Sequence, residues 1–282
     1  MAEAAQGEPI DHVVFREPFK VAPSFEEWDT PQSYQDNAGG ATLPAKVRVW
    51  RVQATGSAYG GVISRSFGFL DSPDAEILAP GYNTEKENGA VGVGRHGNVL
   101  QWGFSAPPSK MTGPGQRFFL NCICYIDRFD GKGPLVLKEV PDRTEALRVA
   151  RLVGQIDNPE FATRSFDRDL YKAYKDDREG LVRFLSENLE LVYWDKAFFV
   201  DEDLRSLGLS SNREVATLEK LIGLLAEGKE VAAVRRALKR YTTENLRAAE
   251  QWQQWLEASK GSLFFSDAGG YKFRVVPPGY LE

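Results

Sequence analysis

The chain has little of what metal and nucleophile chemistry uses: two cysteines, Cys122 and Cys124, and two histidines, His12 and His96, in 282 residues. That supply excludes a Cys/His zinc motif. On a helix, residues two apart point ~200° away from each other, so the cysteines do not bridge. They read as small apolar residues packed on a buried helix, both unreactive. No Gly-x-Ser-x-Gly or Gly-x-Cys-x-Gly elbow occurs, so the commonest hydrolase signature is missing. There is no Walker motif to hold a nucleotide. No apolar run approaches the roughly 18 residues that cross a membrane. Positive charge is short as well: the net charge of −5 argues against a nucleic-acid partner, whose binding face is basic. The start, MAEAAQGEP, has no apolar signal core. It is read as a cytoplasmic N-terminus, or as a secreted chain whose signal peptide has been replaced by Met.

What is present changes character along the chain. Residues 1–45 carry Pro at 9, 18, 23, 31 and 44 and one short apolar run at 13–15, which predicts an extended arm with one edge strand. Residues 35–42 read as a loop by composition. From Lys46 the apolar residues alternate, predicting strands at 47–52, 62–69, 75–79, 90–94 and 99–104. Residues 95–98 form the hairpin turn, with Gly97 at its positive-φ position. Thr112 as N-cap and Pro114 in the first turn open a helix over 112–130. Its apolar stripe places Phe119 and Ile123 in the core. After Pro134 the period becomes helical. Capping-box spacings at Asp142–Glu145 and Ser211–Glu214 start two helices, and further helices are predicted over 177–194, 229–241 and 243–259. Two β runs within 263–276 make a closing hairpin. The expectation is an α+β chain. A β-rich domain over 46–133, covered by a long helix, is followed by a small helical domain over 141–282.

The segment VGVGRHGNVLQWGF…MTGPGQRFFLNCICYI resembles the last strand pair and final helix of the class I glutamine-amidotransferase-like fold, with the trehalose-utilisation (ThuA-like) proteins nearest in pattern. Phe119-Leu120-Asn121 fits that helix, and IDHVVFREPF at 10–19 resembles the stretch that precedes the region. The front half of such a fold, with its parallel βαβ units and nucleophile elbow, has no counterpart here. The resemblance implies the remnant of an α/β fold and a hydrolase-type ancestry. The C-terminal part is similar to helical tails of bacterial proteins with a Trp-x-x-Trp helix, and no activity follows from it.

The candidate binding residues cluster around the hairpin: His96, Arg95, Asn98 and Trp102, with the acids Asp71 and Asp74 nearby in sequence. His96 is read either as an exposed turn residue or as a ligand contact. Asp71, Asp74 and Glu76 read as solvated acids at a Pro-containing turn; as a cation site they lack the spacing of a Ca²⁺ loop. Asp201-Glu202-Asp203 suits a helix N-terminus. Trp252 and Trp255, three apart, read as core. No catalytic residue, cofactor or metal is assigned. Two function classes stay open. The first is a non-catalytic binding or assembly module, taking a protein partner, a second copy, or a small-molecule or sugar ligand. The alternative is a hydrolase-type enzyme acting on a carbohydrate through Asp71, Asp74 or Glu76 with His96.

Overall fold

The structure is a computed structural model describing residues 4–7, 10–35, 42–54, 60–155 and 159–281. The predicted loop at 35–42 lies almost wholly outside the described residues. The chain divides into two compact units, Met1–Leu135 and Val136–Glu282. Among the described residues every strand pair is antiparallel, and the class is α+β.

In the first unit, β1 (Ala4–Gln6) and β2 (Phe25–Asp29) flank the central strand β3 (Lys46–Arg51), with the short helix α1 (Gln32–Gln35) before β3. The arm expected over 1–45 is therefore part of the fold. Ala5 pairs with Trp50 and Phe25 pairs with Trp50 from the other side, and Val14, Phe15 and Val21 are buried in the same core. Pro18, Pro23, Pro31 and Pro44 lie outside the paired segments, where their missing N–H groups cost nothing.

A second sheet orders β4 (Ala75–Pro80), β5 (Val91–His96) and β6 (Val99–Trp102). The hairpin turn is only Gly97-Asn98, with Gly97 at φ 54°. Arg95 and His96 thus belong to β5 and not to the turn. The strand expected at 62–69 does not form. Ser64 pairs with Val91 through two backbone bonds of 3.0 and 2.7 Å. The chain then turns through Gly68, whose φ of 82° breaks an extended path.

Helix α2 (Gly113–Ile126) starts as its sequence predicts. The Thr112 hydroxyl accepts the Gly115 N–H at 3.0 Å and donates to the Arg51 carbonyl at 2.8 Å. Gly115 is obligatory, since a Cβ there would meet the Val52 carbonyl oxygen at 2.1 Å. The helix buries Phe118, Asn121 and Cys122, one position off the expected phase. Ile123 is 47% exposed, Phe119 is half-buried and Cys124 is exposed, so neither Ile123 nor Cys124 is the core residue expected. Phe118 instead stacks on Phe15 at 4.8 Å and meets Trp50 edge-on at 5.6 Å.

The second unit has two cores. One gathers α3 (Arg143–Gln155), α4 (Pro159–Ser165), α5 (Arg168–Tyr174) and α6 (Arg178–Glu187) around Leu181, Leu185 and Phe166. After α6 the predicted helix breaks at Asn188, and the chain enters a ribbon of β7 (Val192–Trp194) and β8 (Phe198–Val200). The other core holds α7 (Glu202–Ser206), α8 (Val215–Ala226), α9 (Val231–Tyr241) and α10 (Ala249–Ser259) around Leu218, Leu221 and Leu238. Trp252 is buried and Trp255 packs against this core. Ser211 does not cap α8: its hydroxyl accepts the Arg213 N–H at 3.2 Å in a local turn, and the helix begins four residues later. The strands β9 (Leu263–Ser266) and β10 (Lys272–Val275) pair as the predicted terminal hairpin.

Candidate functional site

Four of the residues singled out around the first hairpin, Asp74, Glu76, Arg95 and His96, fall into two separate ion clusters. Glu76 faces Arg95 directly across the β4–β5 ladder. Arg95 Nε donates to Glu76 Oε1, Tyr125 of α2 donates its hydroxyl to the same oxygen at 2.6 Å, and His12 reaches Oε2 at 3.1 Å. His12 Nδ1 accepts the Val14 N–H at 3.3 Å, which puts the ring proton on Nε2, aimed at Glu76. Burial works to raise the Glu76 carboxyl, but bonds from His12, Tyr125 and Arg95 prevail and hold it down at about 2. Burial and the bond to Glu76 together push the Tyr125 hydroxyl well above its ordinary range. The Arg95 guanidinium also lies 3.7 Å from the Phe129 ring centroid.

The second cluster centres on Asp74, which is 1% exposed. Ser72 donates to its Oδ1 at 2.5 Å, the Leu135 N–H donates to Oδ2 at 2.9 Å, and His96 Nε2 lies 3.5 Å from Oδ1. Burial opposes ionisation here too, and the contacts from His96, Ser72 and Leu135 outweigh it, holding the carboxyl well below its usual range. In a Ser–His–Asp relay the imidazole stands between hydroxyl and carboxylate. Here the carboxylate stands between Ser72 and His96, so this trio lacks the relay order. Asp74 is buried and Glu76 half-buried, both bonded rather than solvated, and His96 is half-buried rather than an exposed turn residue. Asn98 is exposed in the turn, and Asp71, next to Ser72 in sequence, is half-buried. Trp102 packs edge-on against Phe104 and Phe119 at 5.5 and 4.9 Å, in the aromatic core. The hairpin thus brings His96 to Asp74 and Arg95 to Glu76, and leaves Asn98 and Trp102 outside both clusters. Among the described residues no group of three His, Cys, Asp or Glu side chains is placed to hold a metal ion. No described helix is long and apolar enough to cross a membrane.

The second unit holds a cleft of about 520 Å³ that sequence reasoning did not find. One wall is α5 with Asp167 at its N-cap, Asp169 and Tyr174; Phe184 of α6 adjoins it. Tyr193 of β7, Phe199 of β8, and Asp201, Glu202 and Asp203 at the start of α7 also line it. Arg240 of α9 completes the lining. The ribbon register sets the aromatic wall. Tyr193 is directly opposite Phe199, and their rings stack at 5.3 Å with 18° between planes. Tyr174 and Phe184 form a second tilted pair at 5.3 Å.

Most of the acids here have built-in partners. Asp201 caps α7 by accepting the Leu204 N–H at 2.9 Å, takes the Tyr241 hydroxyl at 2.5 Å, and pairs with Arg240. Asp203 is gripped by Arg236 at 2.6 Å, with Arg240 at 3.4 Å; the bonds from Arg236 lead in holding its carboxyl down. Arg240 also lies 4.6 Å over the Tyr193 ring. Its own charge is disfavoured by burial and restored by Asp201, with the net effect of raising it further. In sequence, only Asp201–Asp203 stood out, as acids at a helix N-terminus. Arg240 lies 39 residues from Asp201, and nothing local links them. Comparison with family models, with curated proteins and with solved structures finds no match for the chain.

Proposed function

We propose that this chain is a non-catalytic binding module whose ligand, a small molecule or a segment of a partner protein, occupies the cleft of the second unit. The observation that carries the reading is the lining: aromatic rings and carboxylates, with no Ser, Cys or His side chain among them. Concave sites of roughly 300–1,000 Å³ with an apolar wall and a few polar groups are the usual form of a ligand pocket. A hydrolase needs an activated nucleophile or a carboxyl kept protonated as an acid. Asp203 in the cleft, and Asp74 and Glu76 in the first unit, are all held toward the ionised form, which works against the acid's part. This weakens the carbohydrate-hydrolase alternative built on Asp74, Glu76 and His96. The test is a panel of ester, amide and glycoside substrates, followed by product analysis beside a thermal-shift screen. The expected result is ligands that raise Tm in the parent but not in Tyr193→Ala, each recovered unchanged. Turnover that disappears in a folded His96→Ala variant would overturn the proposal.

A further inference from the structure

Resting on the proposed binding role of the cleft, we infer that its ligand is a cation, an alkyl guanidinium. It comes either as a free small molecule or as an arginine side chain of a peptide. Three observations converge on this chemistry. First, the lining has five carboxylates and only one cation, Arg240. Asp201 and Asp203 are matched by Arg240 and Arg236, and Glu202 by Arg205. Asp169 has only a loose 3.4 Å contact with Lys172, both of them exposed. Asp167 has no cation among the described residues: its Oδ2 accepts the Asp169 and Leu170 N–H groups at 3.0 and 3.2 Å. The unmatched negative charge therefore collects on the α5 wall.

Second, the rings of this cleft already hold guanidinium groups of the chain itself. Arg240 lies 4.6 Å over Tyr193, and Arg205 lies 5.6 Å over Phe184. Each belongs to an aromatic pair, Tyr193 with Phe199 and Tyr174 with Phe184. Ring faces attract cations through their quadrupoles, and a planar guanidinium stacks while its edge donates to a carboxylate. Third, the volume of about 520 Å³ leaves room for a guanidinium on its alkyl stem. An anion would be repelled by the uncompensated charge on α5, and a neutral sugar would leave the Asp167 charge unmatched.

Isothermal titration of the full chain at low salt distinguishes the cases, with agmatine, a short arginine-containing peptide and a neutral disaccharide as probes. Agmatine or the peptide, or both, should bind, more weakly as salt rises. Agmatine binding marks a free small molecule as sufficient; binding of the peptide alone assigns the site to a partner's arginine. Asp167→Asn keeps the α5 cap, because Asn caps as well as Asp, and removes the charge. It should weaken the cation about tenfold, the scale of one lost charge-assisted bond. Tyr174→Leu should weaken it as well, and Asp176→Asn, outside the lining, should leave it unchanged. Disaccharide binding lost in Tyr174→Leu, with no heat from either cation, would overturn the cationic ligand and leave the binding role standing. Heat from none of the three probes would overturn the inference, and conversion of any probe would overturn the binding role beneath it.

Discussion

Tyr125 and Arg95 meet on one oxygen of Glu76: the α2 hydroxyl arrives at 2.6 Å and the β5 guanidinium from across the ladder. His12 holds the other oxygen. One carboxylate thus ties the N-terminal segment, the second sheet and the end of α2 together. Arg95→Met leaves that half-buried charge short of its main cation. The expected cost is about 2 kcal/mol, the scale of a hydrogen bond to a charged group, read from the urea midpoint.

The same carboxylate makes the first unit acid-sensitive. Glu76 is held at about 2 against an ordinary 4.5. Its folded value is the lower one, so its stabilisation is complete above 4.5 and is lost as pH falls from 4.5 through about 2. Urea titrations across that window should show stability falling more steeply in the parent than in Glu76→Gln. Equal slopes would mean that Glu76 is not the group responsible.

Phe118 and Ile123 sit on opposite faces of α2, 0% and 47% exposed. Phe118→Ala should cost about 3–5 kcal/mol, as for a buried aromatic. Ile123→Ala should cost under about 1 kcal/mol, since surface changes have small effects. Denaturant unfolding of both variants checks the phase of the helix.

The two cysteines should separate by reactivity. Cys122 is buried, and its desolvated thiol is pushed well above the ordinary value. Cys124 is exposed. A thiol reagent should label one site in the native protein, identified as Cys124 by peptide mass, and the second only in denaturant.

The buried Arg143 holds the second unit through Asp267, with two contacts of 2.7 Å, and through Asn212 at 2.9 Å. Arg143→Met strands the Asp267 carboxylate and should cost about 3–5 kcal/mol. Calorimetry of the variant reads it as a lowered Tm.

Local signals were readable in the sequence because their partners are close by. Thr112 caps its helix through an N–H three residues away, and Gly97 supplies a turn within one hairpin. The phase of α2 was not readable: Phe118 and Phe119 are equally apolar, and only Phe15 and Trp50, far off in the chain, choose between them. The same limit hid the pairing of β1 with β3, more than 40 residues on. Of the first clusters, sequence pointed to Arg95, His96, Asp74 and Glu76, but their partners His12 and Tyr125 were set by topology. The cleft draws on elements from Asp167 to Arg240, and no window of sequence contains it.

A backbone amide NMR titration of the full chain with agmatine tests directly whether the cleft holds a cation. A binding module with a cationic ligand predicts shifts concentrated at residues 167–174 and 193–203, with the probe's own signals unaltered in kind. Shifts centred on His96 and Asp74, no shifts at saturating probe, or the appearance of product signals would contradict it.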